Sequence, residues 1–260
     1  MSGPADLARQ LAGALQRGEL DVWYQPEVEV DGRHVVAVEA LLRWHHPSGE
    51  LYEAGRFVGI AEETGLIVAI GAWALLHACE QGVVWRTLLE RPPPVLRVNL
   101  SEAEVAGSDL LATLDVALAT GIEPAALSLE LDESALLLAG VTGPVGDNLR
   151  GINQRGLALV VDRFGLGDGG LGALAGLPVS VLKLDRGVAA RITDDDLTRR
   201  LVASVVAAAR DAGVAVIAQG VEEHAQADAL TALGVTSATG YLFSGAVPAA
   251  SISELLMVTR

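Results

Sequence analysis

From Leu20 to Arg43 apolar and polar residues alternate with a period near two, the pattern of half-buried strands. Residues 21–30 read as one strand and 34–43 as its return, with the tight-turn dipeptide Asp31-Gly32 between them. That is an antiparallel hairpin. Ahead of it, Leu7, Leu11, Leu15 and Leu20 fall at helical spacing and predict a short amphipathic helix. Beyond it the period changes. Helical spacing covers 55–62 and 67–89, and Pro92-Pro93-Pro94 stops it before a short apolar strand at 95–98. Helices near 101–120 and 141–155 alternate with strands at 127–131 and 157–161. After a glycine-rich stretch come a strand at 181–184, a helix at 195–212, a strand at 214–218, a helix at 223–233 and a terminal strand near 236–239.

Most of these strands are short and wholly apolar, as parallel strands buried on both faces must be. About eight of them alternating with helices predict an α/β fold, a TIM-like (β/α)8 barrel. The opening hairpin sets the first strand antiparallel to the rest.

Composition narrows the function. The 260 residues are expected to form a single barrel domain over 1–260, with a core of about 7–249. Hydrophobic residues make up 51% and mean hydropathy is +0.40, enough for a large core. The net charge of −15 argues against long nucleic acid, which binds a basic footprint. A small anionic ligand needs only a local cation or metal. The single Cys79, beside His77 and Glu80, permits no internal disulfide and reads as a helical core thiol. Residues 1–20 carry charges at helical spacing and do not read as a secretory signal. The longest apolar stretch, 66–76, is too short for a bilayer. The expectation is a cytoplasmic protein without membrane insertion.

Chemistry-bearing residues sit late in these strands or just after them. Glu39 lies late in the second strand, Asn99 follows the third, Glu130 ends the fourth and Asp162 follows the fifth. Lys183 ends the sixth and Glu222 follows the seventh. In a barrel these ends converge on one face. Glu39, Asn99, Glu130 and Asp162 supply the oxygen donors that hard divalent cations take. Any one of them alone reads as a turn or cap residue. Their order on successive strands makes the set informative.

Residues 39–43 fit E-x-L-x-R, and Val98-Asn99-Leu100-Ser101, residues 129–134, Leu182-Lys183-Leu184-Asp185 and Gly220-Val221-Glu222 follow in order. Over about 7–249 the chain resembles the EAL domain family of metal-dependent cyclic di-GMP phosphodiesterases. The resemblance implies the same modified barrel. It implies that Glu39, Asn99, Glu130 and Asp162 ligate one metal. It implies that Arg43, whose guanidinium is a planar charged fork, contacts phosphate, with Gln25, Glu39, Leu41, Asp162 and Lys183 also on the ligand side. By residue type alone, Leu41, Leu42 and Trp44 read as packing residues before ligand contacts. Lys183 is implied at the catalytic water or phosphate, Glu222 as a supporting carboxylate, and Glu133 as the residue that orders the loop after the fifth strand. Many such relatives carry sensor or cyclase modules, and none fits within these residues.

The chain departs from the family in one corner. Two consecutive aspartates are usual where Asp162-Arg163 stands, A-E-G-V-E where residues 218–222 read A-Q-G-V-E, and glutamine where Thr239 precedes Gly240-Tyr241. Arg163 and Gln219 together add about three positive units where a second metal would bind, so repulsion replaces a carboxylate cage. The second metal site is expected to be lost, while the first can hold one Mg²⁺ or Ca²⁺. Arg163 is expected either to fill the vacated position, paired with Glu222 or a ligand phosphate, or to face solvent. The loop Arg163–Gly170 is a dimerisation segment by resemblance, and five glycines from Gly165 to Gly172 predict mobility.

These readings predict a degenerate EAL domain that binds cyclic di-GMP without efficient hydrolysis and signals through a homodimer or protein partner. A weak phosphodiesterase producing pGpG is one alternative, and Asp168 is a spatial substitute for a lost ligand. An interaction module without nucleotide binding is another. Gly165-x-Gly167-x-x-Gly170 with Asp185 fits a dinucleotide fingerprint weakly, because it lies mid-chain. His45-His46 reads as a pair before a turn, residues 194–196 as a helix cap, and Trp73 and Trp85 as core.

Overall fold

The computed structural model describes residues 4–30, 34–89, 91–133, 143–165, 177 and 179–258. The expected turn at Asp31-Gly32 and the glycine stretch from Leu166 onward, with Asp168, lie outside them. The hairpin is present as β1 (Leu20–Glu29) and β2 (Val35–His45), antiparallel with Leu20 opposite Trp44 and Gln25 opposite Glu39. β2 then pairs in parallel with β4 (Val95–Asn99), and the parallel run continues. Its members are β5 (Leu127–Asp132), β6 (Ala158–Phe164), β7 (Val179–Leu184), β8 (Ala215–Ala218) and β9 (Ser237–Ala238). β1 meets β9 antiparallel, so the ring of β1, β2 and β4–β9 closes with β1 reversed against both neighbours. The fold is the expected TIM-like barrel.

One further strand, β3 (Leu51–Glu53), pairs only with the far end of β2, beyond the residues that pair with β4. It was too short to be read from alternation. Together β2 and β3 project past the rim and build a side cluster. Trp44, Tyr52, Phe57, Ile67 and Ile70 pack there against Leu7 and Leu11 of α1 (Pro4–Leu11). His46 stacks on Tyr52 and bonds Gln10 of α1 and Ser48, so it ties the N-terminal helix down.

The outer layer departs from expectation in three places. The helix expected over 101–120 is two helices, α4 (Glu102–Ala106) and α5 (Leu110–Leu118). Gly107 takes an extended backbone between them, and Ser101 closes α4 with a capping box to Glu104. A short helix Arg186–Arg191 follows β7 directly, capped by Asp185, which accepts from the Gly187 amide. A C-terminal helix, Ala249–Val258, was not foreseen; it buries Ile252 and Leu256. Asp195 caps the helix Asp196–Asp211 through the Leu197 amide, as expected.

The helix α3 (Leu66–Leu88) is longer than the apolar stretch read from sequence and is, by length and composition, long enough to cross a bilayer. It buries Leu75, Ala78, Cys79 and Trp85 against the barrel, and Trp85 meets Tyr24 edge to face. Burial pushes the Cys79 thiol up to about 12, as for an inert core residue.

Candidate functional site

The carboxyl ends of the parallel strands bring five of the expected residues together. Asn99 and Glu130 are register partners on β4 and β5, and Asp132 and Asp162 are partners on β5 and β6. Lys183 projects from β7 into the barrel with none of its side chain exposed. Its ammonium lies 2.5 Å from Glu39 Oε2, 2.8 Å from Glu130 Oε2 and 3.8 Å from Asp162 Oδ1. Asn99 Nδ2 donates to Glu39 Oε1 at 2.9 Å, and Gln219 Nε2 donates to Asp162 Oδ1 at 2.8 Å. A buried ammonium is tolerated only when paired. Here it is the cation about which the acids gather.

Directly beneath lies a second buried ionic layer that the sequence did not reveal. Arg97 on β4 donates through Nε to Glu27 Oε2 at 2.7 Å and through Nη2 to Glu27 Oε1 at 3.1 Å. Ser237 donates to Glu27 Oε1 at 2.6 Å, and Arg97 Nη1 to Ser128 Oγ at 3.3 Å. Arg97 was read as part of an apolar strand. The available signal was two opposite charges, Glu27 and Arg97, inside otherwise buried strand segments. The irregular register between Glu27 and Val28 fixes where Glu27 falls on β1.

The electrostatics follow from burial. Desolvation raises the Glu130 carboxyl, the Glu39 charge raises it further, and Lys183 only partly opposes this, leaving it at about 8. Burial also raises Asp162, against the pull of Lys183. Glu39 moves the other way. Its desolvation is outweighed by the charge and hydrogen bond of Lys183 and the bond from Asn99, which hold it low. Burial would lower the Lys183 ammonium, but Glu130, Glu39 and Asp162 together raise it above the ordinary lysine value.

The donor set fits a divalent cation chemically. Three acidic side chains face one ammonium, so their full deprotonation leaves a surplus of negative charge. Glu130 Oε1 is buried without a hydrogen-bond partner, with Arg97 Nε standing 3.9 Å away. Hard cations take such oxygens. Among the described residues, however, no three acidic, histidine or cysteine side chains already converge on a common ligand point. Lys183 holds that centre, so metal entry requires the ammonium to give way.

Above the cluster opens a cavity of about 860 Å³, lined by Glu39, Leu41, Asn99, Asp162 and Arg163 among others. Leu41 therefore faces the ligand space as well as packing. Arg163 pairs with Asp132, Nη2 to Oδ2 at 2.8 Å, and lies 3.7 Å from Asp162 through Nε. Its partners are these aspartates, in place of the expected Glu222. Asp132 lies within the 129–134 segment, one residue before Glu133.

The remaining expected residues lie around the rim. Arg43 is buried, 5.4 Å over the Trp23 ring and 3.9 Å from Glu53, and does not line the cavity. Gln25 donates to the Ser244 carbonyl at 3.3 Å. Glu133 accepts from the Gly165 amide at 3.0 Å, at the entrance of the loop it was expected to order. Thr239 is buried, its amide bonded to Ala218. Glu222 is exposed and is not an ion-pair partner of Lys183; its amide donates to Gln226.

Known proteins share this barrel and its sequence. The EAL domain pattern matches residues 8–246. The bifunctional diguanylate cyclase/cyclic di-GMP phosphodiesterase MucR of Pseudomonas aeruginosa is 36% identical over 244 residues, 94% of this chain and 35% of that protein. The oxygen sensor protein DosP of Escherichia coli is 30% identical, over 95% of this chain and 30% of its own length. The chain thus spans about a third of these two relatives. The PaMucR phosphodiesterase in complex with c-di-GMP superposes with a TM-score of 0.86 at 35% identity, covering 95% of this chain and 99% of that one. The EAL enzyme Bd1971, bound to cAMP and cyclic di-GMP, gives 0.91 at 29% identity, over 97% of this chain and 69% of that one. By the match across its barrel and these relatives, the chain belongs to the EAL domain family.

Proposed function

We propose that this chain binds cyclic di-GMP, hydrolyses it poorly, and acts as a receptor or signalling module. The observation that carries this reading is the state of Asp162. Gln219 donates to one of its oxygens and the Arg163 guanidinium stands beside the other, where a second cation would need free carboxylate. Two-metal hydrolysis of a phosphodiester uses one cation to make hydroxide and both to stabilise the displacement. A corner supplied with N–H donors disfavours the second. Glu39, Asn99, Glu130 and Asp162 would hold one Mg²⁺ or Ca²⁺, which when bound supplies Lewis-acid neutralisation of phosphate charge. Lys183 and Glu222 are remnants of the catalytic set, and Arg43 is a candidate phosphate contact from the rim. PaMucR and Bd1971, the similar structures, hold the cyclic dinucleotide in the same fold, which supports the ligand assignment.

Calorimetric titration with cyclic di-GMP in excess Mg²⁺, followed by a check for linear pGpG, tests the reading. Saturable binding with the ligand intact supports it, and rapid accumulation of pGpG refutes it. A weak phosphodiesterase is the second reading, favoured by the retained cluster of Lys183 with Glu39, Glu130 and Asp162. Absence of both heat and product would leave a protein-interaction module. In this reading residues 1–260 are one cytoplasmic barrel unit with its core at about 7–249, and output passes to a second copy or a protein partner.

A further inference from the structure

Consecutive residues of a strand ordinarily point to opposite faces of the sheet. Asp162 and Arg163 nevertheless both line the cavity. A local irregularity accounts for this. The β6–β7 pairing shifts register between Val161 and Phe164, and Arg163 takes φ 52. It is the one non-glycine residue with positive φ among the described residues. Such a conformation persists only where surrounding contacts impose it. Here the contact is Asp132, which holds Arg163 Nη2 at 2.8 Å while 65% of the arginine side chain remains exposed.

The charge of the wall gives this placement a meaning. Glu39, Glu62, Glu102, Asp132 and Asp162 are among its acids, and Arg163 is its one cation among the described residues. Lys183 is fully enclosed by its carboxylate partners, and Arg43 is turned onto Trp23. An anionic phosphodiester entering an acidic cavity needs a cation that is both fixed and accessible. A guanidinium anchored on one edge by a carboxylate offers its other edge as a planar donor pair.

We propose that Arg163 is a built-in phosphate-binding residue of this cavity, taking a phosphate oxygen of the cyclic dinucleotide without a metal ion between them. The inference rests on the reading that the chain binds cyclic di-GMP. Part of the affinity then survives removal of divalent cations and is carried by this one side chain.

The test is calorimetric titration of the whole chain with cyclic di-GMP, in EDTA and in Mg²⁺, for the unaltered protein, Arg163→Gly and Arg163→Lys. Glycine accepts positive φ without strain, so Arg163→Gly should melt at the same or a higher temperature. It should bind at least about tenfold more weakly in EDTA, with Arg163→Lys intermediate. Loss of binding without loss of stability separates a ligand contact from a structural role. Affinity of Arg163→Gly within about twofold of the unaltered chain overturns the inference while leaving nucleotide binding intact. So does binding by the unaltered chain that appears only with Mg²⁺. No binding by the unaltered chain in either buffer overturns the underlying reading, and this inference with it.

Discussion

The Lys183 ammonium and the Glu39 carboxylate meet at 2.5 Å inside the barrel, one from β7 and the other from β2, on opposite sides of the ring. This contact makes an internal cation the organiser of a cluster that otherwise consists of acids. Removing it leaves those acids to repel one another in a medium poor in water. Lys183→Met is expected to destabilise the chain by about 3–5 kcal/mol in EDTA. Added Mg²⁺ should restore much of the loss, because the same oxygens then gain another cation. Thermal melts with and without Mg²⁺ measure both effects.

The elevated Glu130 carboxyl gives the stability a pH dependence. The folded chain keeps a proton up to about 8 that an unfolded glutamate releases near 4.5. The folded state therefore loses stability as pH rises through that window. Asp162, also raised, adds in the same direction. Glu39 is held low, so its contribution is lost only on acidification, and Lys183 is raised, so its contribution is lost only in strong alkali. In EDTA the melting temperature should fall from roughly pH 5 to pH 8. Mg²⁺ should flatten the slope by favouring deprotonated Glu130.

The lower ionic layer predicts a different pattern. Arg97→Met or Glu27→Leu alone strands a buried charge and should cost about 3–5 kcal/mol. The double variant should recover most of that loss, because two apolar side chains can replace a buried pair. Denaturant unfolding of the four proteins gives the coupling directly. Equal, additive losses would show that the pair does not act as a unit.

Restoring acids beside Asp162 should restore cation capacity. Arg163→Asp with Gln219→Glu converts two N–H donors into carboxylates. Mn²⁺ titration should then show one more bound ion than in the unaltered chain. Formation of pGpG should rise along with it. An unchanged stoichiometry would mean that these two positions do not set the metal count.

Much of this was legible in the order of residues. Alternation around Asp31-Gly32 reveals the hairpin, and short apolar runs ending in Asn99, Glu130 and Lys183 reveal the barrel and its functional face. What was not legible has local causes. Gly107 and the acidic pair Glu102 and Glu104 mark the end and start of α4, but the periodicity runs through them. Arg97 is hidden among valines and leucine, and its partner Glu27 is seventy residues away on β1, a strand separated from β4 by β2, so that the two side chains meet inside the barrel. The turn of Arg163 toward Asp132 depends on a single backbone angle, which residue identity does not encode.

The reversed β1 also gives the molecule an entrance and an exit. In a barrel whose strands all run one way, the chain starts at the floor, away from the chemistry. Here Leu20 stands opposite Trp44, beyond the rim, and α1 packs against the cluster that borders the cavity. The last helix runs the other way. Ser253 reaches Trp85, and the Leu256 carbonyl takes a bond from Arg91, just ahead of the first residue of β4. A domain joined ahead of α1 would thus arrive at the ligand's doorway, and one joined behind the last helix would hang from the opposite pole.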